Sequence, residues 1–260
     1  MTSAPEPATP SAPDLRVLCQ AVGEDLLLLA LLHDRELTAQ TLDALRQDGV
    51  GDLLGLRLAS PAAREALDLL RQGLSDIPHP PDAQTLDILA AEYADIYLNH
   101  TFEASPCESV WLDEDGLIMQ EPMFQIRAWY QRYGLTVANW RLRTDDHLVS
   151  QLQFLAFLLQ GDASTPRLEE IARFLDEHLL RWIGAFASRI AARSRTRFYA
   201  GLASLTAAYL EEFRDLAADL LACPRPSAAE IEERLRPPRE VLGQAVKGPL
   251  PYRPSEGPGW

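Results

Sequence analysis

The chain has 260 residues, 24 basic against 38 acidic, for a net charge of −14. That length supports a sizeable core, and a strongly acidic balance argues against nucleic acid, whose phosphates need a basic face. No apolar run approaches the roughly 20 residues of a membrane-spanning helix, so no stable membrane insertion is expected. The opening MTSAPEPATPSAPD has neither a basic start nor an apolar core. It reads as no export signal and points to the cytoplasm.

In chain order, residues 1–13 carry four prolines among small residues and read as a disordered lead-in. Helical periodicity begins at Asp14, a reasonable N-cap after proline, and continues through Leu15, Leu18, Val22, Leu26 and Leu29. Further helices are expected at about 38–47, 61–72 and 84–99. Residues 100–120 lack a helical stripe and read as an ordered loop, with one short extended piece at Val110–Leu112. Helices resume at about 121–133, from Thr144–Asp146 to Leu159, and through a long zone from Pro166 to about Arg193. A last long helix runs through Phe198 to Leu220. After Cys223, eight prolines allow one short helix at 227–235 and then a mobile tail. No strand alternation and no repeat is visible. The expected fold is therefore all-α, a single bundle-like domain of about nine helices over 14–222, with tails at 1–13 and 223–260.

Charge is placed unevenly. Between Gln72 and Ile126 there is no Lys or Arg, yet the stretch holds eleven carboxylates. It reads either as a solvated acidic surface or as a docking face for a basic peptide. Arg189, Arg193 and Arg197, at i, i+4 spacing, read as a solvated stripe rather than a phosphate site.

Short catalytic motifs are absent. Cys19, Cys107 and Cys223 are too few and too dispersed for a disulfide framework or a zinc site, and His33, His79, His100, His147 and His178 form no helical ligand pair. Neither metal nor cofactor is expected. Asp146-His147 with Cys107 raises a cysteine hydrolase as an alternative. However, adjacent helical residues point about 100° apart, and the acidic ASPCESV context raises a thiol pKa. The plainest use of Asp145 or Asp146 is to cap the helix that follows. The balance favours a binding protein over an enzyme.

Three stretches carry a more specific signal: EYADIYLNHTFEASPCESVWLDEDGLIM at 92–119, RAWYQRYGL at 127–135, and DDHLVSQLQFLAFLL at 145–159. FLDEHLLRWIGAFASRI and RFYAGLASL add a weaker fourth match. In this order and spacing they resemble the TorD/DmsD family, the NarJ-like group of redox-enzyme maturation chaperones. Thr144 stands where that family often has proline, and Cys107 where a proline or aromatic is commoner. The resemblance implies an all-helical cytoplasmic chaperone that binds the N-terminal region, often a twin-arginine signal peptide, of a molybdopterin oxidoreductase catalytic subunit. In the nitrate-reductase branch the partner is not exported. Carried over by position, the peptide-binding residues are Glu108, Ser109, Trp111, Asp146 and His147. Carboxylates beside an aromatic surface suit a ligand with arginines ahead of an apolar run. A monomer or a swapped dimer fits such a bundle.

Overall fold

The computed structural model describes residues 12–139 and 143–236. The chain divides into two compact units, 1–225 and 226–260. Most of the lead-in expected at 1–13, and the tail beyond Arg236, lie outside the described residues.

In the first unit four helices start at polar residues whose side chains satisfy amides with no intrahelical partner. Thr38 caps α2 (Ala39–Asp48), Ser60 caps α3 (Pro61–Asp76), Asp82 caps α4 (Ala83–Tyr93) and Ser164 caps α8 (Thr165–Glu177). Prolines in the first turns of α3, α6 (Glu121–Arg132) and α8 cost no hydrogen bond there. The remaining helices are α1 (Ala12–Asp34), α5 (Ser109–Leu112), α7 (Leu148–Gly161), α9 (Ile183–Arg193) and α10 (Arg197–Leu221). The architecture is all-α, and no strand occurs among the described residues.

Three local expectations change. Val110–Leu112 is helical, part of the single turn α5. Residues 94–98 continue α4 as a π-helical turn. The long zone from Pro166 breaks at His178, where a 3-10 turn, Leu179–Arg181, separates α8 from α9. Beyond these, α1 starts at Ala12, two residues before the expected cap.

Helix α10 is the axis of the packing, lying along α3, α9 and α8, while α1 lies along α7. Two glycines set the closest approach. A Cβ on Gly201 would sit 2.5 Å from Leu70 Cα, and one on Gly73 would sit 2.4 Å from the Phe198 nitrogen. Backbone therefore meets backbone where α3 crosses α10, and no larger residue fits there. The core is continuous and aromatic-rich: Phe174, Trp182, Phe186, Phe198, Tyr199, Tyr209 and Phe213 are all fully buried.

Buried carboxylates join distant segments to this core. Asp25 accepts hydrogen bonds from the Gly55 and Leu56 amides (2.7 and 2.9 Å) and from the Tyr209 hydroxyl (2.7 Å). Glu92 accepts from the Arg195 amide (2.6 Å) and the Thr196 hydroxyl (2.5 Å), capping α10 from another helix. Asp176 pairs with Arg214 through two bonds of 2.9 and 2.7 Å. Each satisfies donors that would otherwise be buried unpaired. In the second unit α11 (Ala228–Leu235) starts with a capping box, Ser227 with Glu230, and buries none of its residues.

No described helix is long and apolar enough to cross a membrane.

Candidate functional site

The loop at 105–112 and the entry to α7 are fastened together. Their backbones meet in an isolated antiparallel bridge, Cys107 to His147. The Glu108 amide donates to the Asp146 carbonyl (3.1 Å), and the Leu148 amide donates to the Pro106 carbonyl (2.7 Å). Asp146 completes the join with its side chain. One carboxylate oxygen accepts from the Ser109 amide (2.8 Å), the other from the Thr144 hydroxyl (2.5 Å). Helix α7 is capped by His147, whose Nδ1 accepts from the Val149 amide at 3.2 Å. The cap is thus neither of the two aspartates, because Asp146 is turned toward the loop and Asp145 toward α6.

Glu108 anchors the same loop to the core. Its carboxylate lies 2.8 Å from His178 Nδ1 and accepts from the Gln151 amide (3.1 Å) and the Trp182 indole (3.2 Å). Gln151 also donates to the Asp146 carbonyl at 2.9 Å, joining the two carboxylates in one network. Beside it, Asp145 takes the Arg127 guanidinium through Nε (3.1 Å) and Nη2 (2.8 Å), and its carbonyl accepts from the Tyr130 hydroxyl.

The structure therefore brings all five expected residues into one cluster but exposes them unequally. Glu108, Ser109 and Asp146 are buried, whereas Trp111 and His147 are half-buried and reach the surface. Trp111 donates its indole hydrogen to the Ser105 carbonyl (2.8 Å) and carries Arg189 over its ring at 5.6 Å. The residues that complete the cluster, Gln151, His178, Trp182 and Thr144, lay in or beside the quoted motifs, Thr144 as a departure from the family pattern, but were not named as site residues. Nothing in those motifs marked them as partners of Glu108 and Asp146.

The electrostatics do not assemble a hydrolase. Burial first, and then the Asp146 charge, push the Cys107 thiol up to about 11. Burial holds His147 down at about 3, with Arg143 adding to it. Its Nδ1 is already used as the helix cap, and Asp146 holds Ser109 and Thr144 rather than the imidazole. The Cys107–His147 alternative finds no support. No group of three metal-ligating side chains occurs among the described residues.

A cavity of about 770 Å³ opens beside the α7 entry. Its wall is mainly apolar, with Leu98, Tyr130, Leu135, Val137, Phe154 and Phe157, and it takes in Ser150 and the Asp34–Arg143 ion pair. Leu98 and Phe157 are large apolar side chains left exposed. A smaller cavity of about 220 Å³ lies between Arg127, Asp145 and the same 135–137 segment.

The acidic stretch resolves into two parts. Asp76, Asp95 and Glu103 are paired with arginines that follow α9 or lie on it: Arg197 at 3.1 Å, Arg195 at 2.7 Å, and both Arg189 (3.3 Å) and Arg193 (2.9 Å) on Glu103. The arginine stripe is a set of counter-charges for the front half of that stretch rather than a merely solvated face.

The fold is an all-helical bundle in which a polar clasp joins a loop to a helix entry. The family model described as nitrate reductase delta subunit matches residues 57–188. The chain belongs to this family, the TorD/DmsD (NarJ-like) group of redox-enzyme maturation chaperones. Among particular relatives, it is 29% identical over 189 residues to the chaperone protein TorD of Vibrio vulnificus, covering 70% of this chain and 87% of that one. It is 28% identical over 211 residues to TorD of Vibrio cholerae, covering 76% and 93%. It is 24% identical over 191 residues to TorD of Photobacterium profundum, covering 70% and 88%.

Proposed function

We propose that this protein is a cytoplasmic, system-specific chaperone without catalytic turnover. It binds the N-terminal signal region, with its adjacent arginines, of a molybdenum-cofactor oxidoreductase subunit, and assists maturation before export. The observation that carries this reading is the 770 Å³ apolar cavity, whose wall takes in Arg143 and Ser150 on either side of the α7 entry that the clasp fixes. A peptide with an apolar run needs a preformed groove, and a rigid polar frame beside it sets the register. In this reading the five expected residues divide their roles. Glu108, Ser109 and Asp146 are positioning residues, since their polar atoms are spent on the network. Trp111 and His147 meet the peptide, and Phe154, Phe157 and Leu98 receive its apolar run.

The test is titration of the purified chain with a labelled peptide copied from the N-terminus of the partner subunit. Trp111→Phe and His147→Asn, the latter keeping a capping oxygen, are expected to weaken binding about five- to tenfold while leaving the melting temperature close to wild type. Unchanged affinity in both would sink the site assignment. The nitrate reductase delta subunit match favours a second reading, a partner that is not exported. In that case a peptide with both arginines replaced by glutamine binds as tightly as the parent.

A further inference from the structure

Residues 113–124, the turn after α5 and the first turn of α6, form a lobe whose outer side is exposed, although Pro122 and Met123 turn inward. It presents three large apolar side chains to solvent: Leu117 at 53% exposure, Ile118 at 50% and Phe124 at 50%. The lobe is a built turn. The Asp113 carboxylate accepts from the Asp115 and Leu117 amides (3.1 and 3.3 Å), and Gly116 takes a φ of 64° that suits a residue without a Cβ. Two contacts join it to the clasp: the Gln120 amide donates to the Ser109 hydroxyl at 3.3 Å, and Phe124 lies under Arg127, which holds Asp145.

Charge says what such an apolar face is suited to meet. The carboxylates at 76, 95 and 103 are already covered by this chain's own arginines. Glu114, Asp115 and Glu121 have no such counter-charge among the described residues; the sole bond to any of their carboxylates comes from Gln125 on Glu121. Apolar side chains ringed by uncompensated carboxylates disfavour an acidic or purely apolar ligand and favour one that brings cations together with apolar groups. We infer that the 113–124 lobe is the docking face for the arginine-bearing part of the client segment, whose apolar run continues toward the cavity. This rests on the reading above that the ligand carries adjacent arginines. It moves arginine recognition from the buried Glu108 and Asp146 to the exposed Glu114, Asp115 and Glu121.

The experiment compares two synthetic peptides, one with two adjacent arginines ahead of a leucine- and alanine-rich run and one with both arginines replaced by glutamine. They are titrated against the full chain and against Glu114→Gln/Asp115→Asn/Glu121→Gln, at low and high salt. The triple variant is expected to bind the arginine peptide roughly tenfold more weakly at low salt, to lose the difference at high salt, and to bind the glutamine peptide unchanged. Leu117→Ser/Ile118→Ser is expected to weaken both peptides. Equal affinity of wild type and triple variant for the arginine peptide, with the same salt dependence, overturns the lobe and leaves the chaperone reading standing. Failure of wild type to bind either peptide overturns both. A concentration-dependent dimer of wild type that Leu117→Ser/Ile118→Ser abolishes assigns the face to a second copy of the chain, and likewise overturns the proposal.

Discussion

Two groups of carboxylates from one lysine- and arginine-free stretch have opposite fates. Glu92 and Glu108 are fully buried and hold together segments far apart in the chain, whereas Glu114, Asp115 and Glu121 face solvent. The difference lies in the donors each group meets. A carboxylate enters a core only where several hydrogen-bond donors replace its water, and Glu108 finds three, from α7, from His178 at the end of α8 and from Trp182 at the start of α9. Glu114, Asp115 and Glu121 are offered almost none, a single bond from Gln125 to Glu121, so their charges stay in water. Net charge by itself says nothing of this division.

Substitutions that break the comparison should differ accordingly. Glu108→Ala is expected to be the most damaging, at about 3–5 kcal/mol in urea unfolding, because His178, Gln151 and Trp182 lose a shared buried acceptor. Glu92→Ala follows at about 2–3 kcal/mol, since the Arg195 and Thr196 amides lose their cap and α10 starts less firmly.

A pH effect comes next. Burial holds His33 at about 3 in the folded chain, against an ordinary value near 6.5. Its Nδ1 sits 2.6 Å from the Tyr97 hydroxyl and its Nε2 2.9 Å from Thr206. The Thr206 hydroxyl donates to the Leu202 carbonyl, so Nε2 carries the ring hydrogen and Nδ1 accepts from Tyr97. The folded pKa is depressed, so the unfolded chain takes up the proton first. Stability is therefore full above about pH 6.5 and falls as pH drops toward 3, by up to about 1.4 kcal/mol per pH unit. His147, also held at about 3, adds a like contribution, so unfolding midpoints measured between pH 7 and pH 5 should show the combined slope and His33→Gln should remove about half of it. The smallest effect is on stability in Glu114→Gln/Asp115→Asn, whose melting temperature is expected to match wild type at moderate salt. A clear loss there would mean that the lobe carries structural charge after all.

The helices were legible because apolar spacing and first-turn prolines are local signals, and α3, α6 and α8 carry Pro61, Pro122 and Pro166 in their first turns; caps were less so, since α1 starts before Asp14 and His147 rather than either aspartate caps α7. The cluster of Glu108, Ser109, Trp111, Asp146 and His147 was legible as a set of motifs, since loop and helix entry each keep a recognisable order. Its internal direction was not. Glu108 meets His178 across 70 positions and Asp146 meets Ser109 across 37, so nothing local distinguishes a carboxylate that faces a ligand from one that faces the core. The arginines at 189–197 had the same difficulty. Their i, i+4 spacing describes one helix face, while the Glu103 that answers two of them lies 86 and 90 positions earlier.

The Glu108 network also makes the loop depend on chain that lies well beyond it. His178 and Trp182, two of the three residues that donate to its carboxylate, stand 70 and 74 positions later. A chain cut short of His178 would keep every residue of the expected cluster and the bonds from loop to α7 entry, yet leave Glu108 buried with Gln151 alone. The far helices are thus part of the loop's support, and truncation there acts on a surface it does not touch.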